Sequence, residues 1–130
     1  MFPATRAQIR ERAEFRCEYC QMPEAATPFI SFHIEHIVAL QHLIDDSLEN
    51  LALACDRCNA YKGPNLSSID PETKSIIVLF NPRRDESEHF DLKVGLIVGK
   101  TAMGRTTVRL LNMNAPRRVE LRLEYLDLGQ

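Results

Sequence analysis

Residues 17–63 read CEYCQMPEAATPFISFHIEHIVALQHLIDDSLENLALACDRCNAYKG, and this stretch decides the fold. It opens on Cys17-Glu18-Tyr19-Cys20 and closes on Cys55-Asp56-Arg57-Cys58. All four cysteines of the chain thus fall in two C-x2-C knuckles, 34 residues apart. A two-residue gap lets both thiolates of a pair face one ion while nearby backbone N–H groups stabilise their charge. Two such pairs complete a tetrahedral site for structural zinc. The alternatives are two disulfides or a thioredoxin-like redox pair. A redox pair uses one knuckle and leaves the other without a task. Disulfides need an oxidising compartment, and the N-terminal MFPATRAQIRERAEF holds no apolar run of signal-peptide length. No later segment reaches the roughly 18 apolar residues that span a bilayer. The chain reads as cytoplasmic, with no membrane partner, where thiols stay reduced.

Outward from that stretch, 130 residues suit one compact domain, 1–130. There is no tryptophan, so a modest core must rest on Leu, Ile and Val, and a local staple helps it. The net charge of -2 supplies no global positive field, so any contact with nucleic acid must come from a local patch.

Within the core, 17–63, the extended stretch Phe29 to Leu40 reads as two strands or one bent strand. Leu51 to Ala54 is a brief apolar run, and a short helix from the second knuckle stops near Lys62-Gly63-Pro64. Residues 29–62 therefore read strand, strand, helix. An N-terminal helix over 5–15 is expected, with Thr5 as its cap and Gln8 placed for a capping box. A C-terminal extension over 70–128 carries strand candidates Ser75 to Phe80 and Leu92 to Val98, flanking a polar turn. Thr101 or Thr106 opens a helix through Leu111. Asn114 caps a last helix from Ala115 to about Leu126, with Val119, Leu123 and Leu126 as its apolar stripe. The fold class is α+β.

The metal loop also holds Phe32-His33-Ile34-Glu35-His36-Ile37, then Asn50-Leu51, then Cys58-Asn59-Ala60-Tyr61-Lys62-Gly63. The order C-x2-C, x-E-H-I, N-L-x-L-A-C-x-x-C-N-x-x-K-G resembles the HNH endonuclease family, in the branch with a four-cysteine zinc site. What the resemblance implies is a ββα-metal (HNH, His-Me finger) core. In it Glu35 ligates a catalytic cation, His36 is the general base and Asn50 braces the loop between the strands. Asn59 is the second ligand, where many relatives carry the final histidine, which makes this an HNN variant. Relatives often have Pro after E-H-I and a Gly-Gly pair in the following loop. Here Val38-Ala39-Leu40 and Leu43-Ile44-Asp45-Asp46 stand instead.

The chemistry agrees with that order. Phosphodiester hydrolysis needs an activated water and help for the leaving 3′ oxygen. A neutral histidine can take the proton, and a hard cation can offset the developing charge. Carboxylate plus amide oxygen favours Mg²⁺ or Mn²⁺ over a second zinc. Adjacent strand residues point to opposite faces, so Glu35 and His36 can share a site only at a strand end or bulge. Lys62 and His33 are candidates for contact with the phosphate, each against a structural reading. His42 and His89 read as solvated.

Arg83, Arg84, Arg105, Arg109, Arg117, Arg118 and Arg122 either grip a duplex backbone or line a solvated face. Glu120 and Glu124, interspersed among them, speak for the solvated face. The expected activity is metal-dependent hydrolysis of DNA. The alternative is a non-catalytic zinc module that binds nucleic acid or protein.

Overall fold

The computed structural model describes residues 3–127. Four helices are formed: α1 (Pro3–Arg12), α2 (Asp56–Lys62), α3 (Ala102–Leu110) and α4 (Pro116–Asp127). Six short strands, β1 (His33–His36), β2 (Leu51–Ala54), β3 (Ser67–Ile69), β4 (Ile76–Val78), β5 (Phe90–Lys93) and β6 (Leu96–Gly99), pair antiparallel as β1-β2, β3-β4 and β5-β6. The chain is a small α+β protein. It forms two compact units, residues 3–65 with 81–85, and residues 66–80 with 86–127.

In the first unit β2 is the spine. All four of its residues are buried, and full burial of Leu51 and Leu53 stabilises by about 1.5–3 kcal/mol each. β1 lies against it in the register Glu35↔Ala52 and His36↔Leu51. α1 packs on β2 through the fully buried Ile9, and Arg12 donates to Leu48 O at 3.0 Å and Leu51 O at 2.6 Å. α1 begins at Pro3, so Thr5 lies inside the helix and does not cap it. It ends in a Schellman turn, with Glu14 at φ 56 and Phe15 N reaching back to Arg10 O. Only His33–His36 of the expected extended stretch is strand. Phe29 and Ile30 are exposed, with no ladder partner to order them.

The second unit departs further from the sequence reading. Ser75 to Phe80 shortens to β4, and its partner β3 had no sequence signal at three residues. Leu92 to Val98 is not one strand but the two halves of a hairpin. Val94 and Gly95 both take positive φ, 50° and 79°, and turn the chain between β5 and β6. α3 starts at Thr101, whose hydroxyl accepts from Gly104 N, so Thr106 is interior. α3 lies close on β6: a Cβ at Gly99 would fall 2.3 Å from Arg105 N. Asn114 is not the cap of α4. Both ends of its amide bond Ile97, at 2.8 Å each, and tie β6 down. Of the expected stripe of α4, the Leu126 side chain lies outside the described residues, as does residue 128 at the end of the expected extension.

The arginines divide: Arg84, Arg109 and Arg117 are exposed, as the solvated-face reading expects, while Arg83, Arg105, Arg118 and Arg122 are turned to partners within the protein. Arg118 donates to Leu111 O and Asn112 O, closing the end of α3. Arg122 donates to Gly95 O and to Met113 O at 2.7 Å. Both are buried. Arg105 holds the fully buried Asp70 by two bonds of 2.9 and 3.1 Å, and Arg83 is spent on Glu18 in the first unit. Arg84 and Arg117 pair with Asp85 and Glu120. Those two pairs lie on the surface. His89 is likewise no solvated loop residue, since its Nδ1 sits 2.7 Å from Thr101 Oγ1.

The Asp70–Arg105 pair carries a pH dependence. The Arg105 hydrogen bonds, helped by Glu72 N and Thr73 Oγ1, hold the Asp70 carboxyl well below its usual range. A depressed folded value gives stability that is fully present above the unfolded value, about 3.9, and lost as pH falls below it. The melting temperature of the wild type should therefore fall below about pH 4. Asp70→Asn should melt several degrees lower at neutral pH and show a weaker acid dependence. Superimposable pH profiles for the two proteins would remove Asp70 from the account.

Candidate functional site

The four sulfurs come together first. The first knuckle is a turn in which Cys17 Sγ accepts from Cys20 N at 3.5 Å. Cys55 follows β2 and is the N-cap of α2, its Sγ accepting from Cys58 N at 3.4 Å. The ligand atoms of Cys17, Cys20, Cys55 and Cys58 all lie within 4.8 Å of one another, buried, and no disulfide joins them. A zinc–sulfur bond of 2.3 Å sets the corners of a tetrahedron about 3.8 Å apart, which is the 3.8 Å between Cys20 Sγ and Cys55 Sγ. Burial pushes the Cys17 thiol well up, so its thiolate needs a cation beside it. Donor type, spacing and burial fit a structural zinc.

The second cluster lies between β1 and α2. Glu35, His36 and Asn59 line one cleft of about 350 Å³, with Ile34 and Leu40 as apolar wall. Neighbours on a strand share a site here because β1 stops at His36. Gly63, at φ 50, stops α2 at the same cleft. The His36 imidazole is turned toward solvent, and its Nε2 lies 2.6 Å from Asp46 Oδ1. Nδ1 is the nitrogen left for a water. The Asn59 side chain makes no hydrogen bond to the protein among the described residues, so its amide oxygen is available to a ligand.

Glu35 is 7% exposed. Tyr19 OH donates to its Oε1, and Lys62 Nζ stands 3.6 Å from its Oε2. Burial raises the Glu35 carboxyl, while the Lys62 charge and the Tyr19 bond pull it back toward ionisation. A carboxylate has about four lone-pair directions, and these partners leave some for a cation.

Asn50, also buried, bonds Val38 N at 2.9 Å, Val38 O at 3.0 Å and Asp45 O at 2.9 Å. It holds the loop that follows His36. Lys62 is set inside, donating to Ile37 O at 2.8 Å and facing Glu35. At 2% exposure its ammonium is not presented to a passing phosphate. His33 lies outside the cleft and pairs with Asp56 at 3.1 Å. Tyr19 and Asp46 were missed in the sequence. Tyr19 sits inside a zinc motif that discounts its middle residues, and Asp46 lies in a loop with no pattern.

Residues 17–65 match the HNH endonuclease family, so the resemblance read from the motifs holds over that segment. The chain is 29% identical over 102 residues to the Septu protein PtuA of Bacillus mycoides (strain KBAB4), an alignment taking in 72% of this chain and 14% of that protein. No solved structure matches. No helix among the described residues is long and apolar enough to cross a membrane.

The sulfur geometry predicts about one tightly held zinc per chain by metal analysis, and cooperative unfolding when a strong chelator removes it. Cys58→Ser should purify without zinc and without its thermal transition. Wild-type protein that is folded and free of zinc would contradict the assignment.

Proposed function

On the strength of the HNH match over residues 17–65, we propose that this protein is a metal-dependent endonuclease that hydrolyses phosphodiester bonds of DNA. The observation that carries the reading is the meeting of Glu35, His36 and Asn59 in one cleft. Glu35 and Asn59 are an oxygen donor set suited to Mg²⁺ or Mn²⁺. When bound, such a cation neutralises charge on the phosphate and the leaving oxygen. His36 takes the proton of the attacking water at Nδ1. Asp46, on Nε2, fixes the tautomer and the ring plane.

Asn50 keeps the backbone after His36 from swinging away, so the imidazole stays at the cleft. The zinc holds the frame and takes no part in the reaction. With most of the arginines of the chain paired within the protein, DNA is held by few cations, and binding should be weak with a shallow salt dependence.

One observation favours the other reading, a non-catalytic zinc module. Both Glu35 oxygens already face protein partners. Nicking of supercoiled plasmid separates the two. The nuclease reading expects nicking in Mg²⁺ or Mn²⁺ but not in chelator. His36→Ala should be slower by about 10²–10⁴-fold with its zinc retained. No nicking by wild type in either metal, or equal nicking by both proteins, would overturn the proposed mechanism.

A further inference from the structure

The two residues between the cysteines of the first knuckle are both committed to the β1-β2 hairpin. Glu18 holds β2: its backbone N donates to Leu53 O at 2.9 Å, and its Oε2 accepts from Leu53 N at 2.8 Å. Tyr19 holds β1 through Glu35 Oε1, and at 3% exposure its ring is fully packed. The second knuckle fixes the other side of the cleft, because Cys55 is the N-cap of α2 and Asn59 lies one turn further on. The four sulfurs thus set the start of α2 and, through Tyr19, the rotamer of the carboxylate facing it.

From this juxtaposition we infer that Tyr19 is a positioning residue for the cleft cation. Its hydroxyl, carried on the zinc knuckle, holds Glu35 in the ligating orientation and couples zinc binding to divalent-cation affinity. The inference rests on the nuclease reading above and extends it to a residue that touches neither cation nor substrate. A carboxylate with a fixed rotamer gives up less freedom on binding, and a phenol donor withdraws one lone pair while leaving the rest directed at the cleft. Lys62 cannot replace it. At 3.6 Å from Oε2 it supplies charge without a directional bond, and its short bond goes to Ile37 O.

The test uses the zinc-loaded full chain and Tyr19→Phe, which removes one oxygen from the ring. Mn²⁺ binding is read by calorimetric titration, with zinc content and melting temperature measured alongside. The dissociation constant for Mn²⁺ should rise about tenfold or more in the variant, the size expected for losing a hydrogen bond to a charged group. Zinc content should be unchanged, and the Mn²⁺ level for half-maximal nicking should move in step. A purely structural Tyr19 would lower zinc content or melting temperature and leave the affinity of the folded protein alone. Equal Mn²⁺ affinity in the two proteins overturns the inference and leaves the nuclease reading standing. Wild type that takes up no Mn²⁺ overturns both.

For a variant that loses its zinc, the wild type decides. Mg²⁺ should shift the NMR signals of the Tyr19 ring along a saturating curve. A Tyr19 ring blind to Mg²⁺ rules the coupling out.

Discussion

Four buried sulfurs at one point are the constraint on which the first unit is built. Structural zinc in small modules is worth roughly 10–16 kcal/mol at neutral pH, several times the contribution of any one buried leucine. Here that energy would be applied where three elements meet: the knuckle after α1, the end of β2 and the first turn of α2. With a fully buried four-residue strand as the only spine, packing alone would leave the angle between β1 and α2 loosely set. A tetrahedral ion held by the four sulfurs would set it, and the cleft would follow from that angle.

The chemistry of the cleft shows what a rigid frame permits. Glu35 is buried deeply enough to be raised toward the neutral form, and it is held toward the charged form by a lysine and a tyrosine on either side. In the proposed function, a bound cation would complete the compensation. His36 is more open, with its side chain 22% exposed. It sits at a strand end, reaches solvent and is steadied by the exposed Asp46. In the proposed mechanism, a base that takes a proton from water is better placed at the mouth than in the interior. Neighbours in the chain thus occupy environments that differ in burial, because the strand stops between buried ladder and open loop.

The sequence made this frame legible to different depths. The doubled C-x2-C spacing and the strand–strand–helix order from His33 to Lys62 could be read directly, since metal geometry and the helix stop at Gly63 leave marks in single residues. The site partners could not. Tyr19, Asp46 and the inward turn of Lys62 depend on which side chains face each other across 10 to 27 residues of chain, and no periodicity records that. The second unit was least legible for a related reason. A type I′-like turn built on Val94-Gly95 hides inside an apolar run, and Arg105, Arg118 and Arg122 look like a nucleic-acid surface until their carbonyl and carboxylate partners are known. Arginine satisfies several buried acceptors with one fork, and composition does not distinguish that use from a phosphate contact.

The central claim is that folding around the sulfur-bound ion brings the Glu35 carboxylate and the Asn59 amide to one divalent cation beside His36. Anomalous X-ray diffraction from crystals of the zinc-loaded protein soaked in Mn²⁺ tests it most directly. The account predicts one manganese peak per chain, about 2.1 Å from an oxygen of each of those two residues and one water away from His36 Nδ1. Saturated crystals with no manganese between β1 and α2, or with manganese bound only elsewhere, would contradict it.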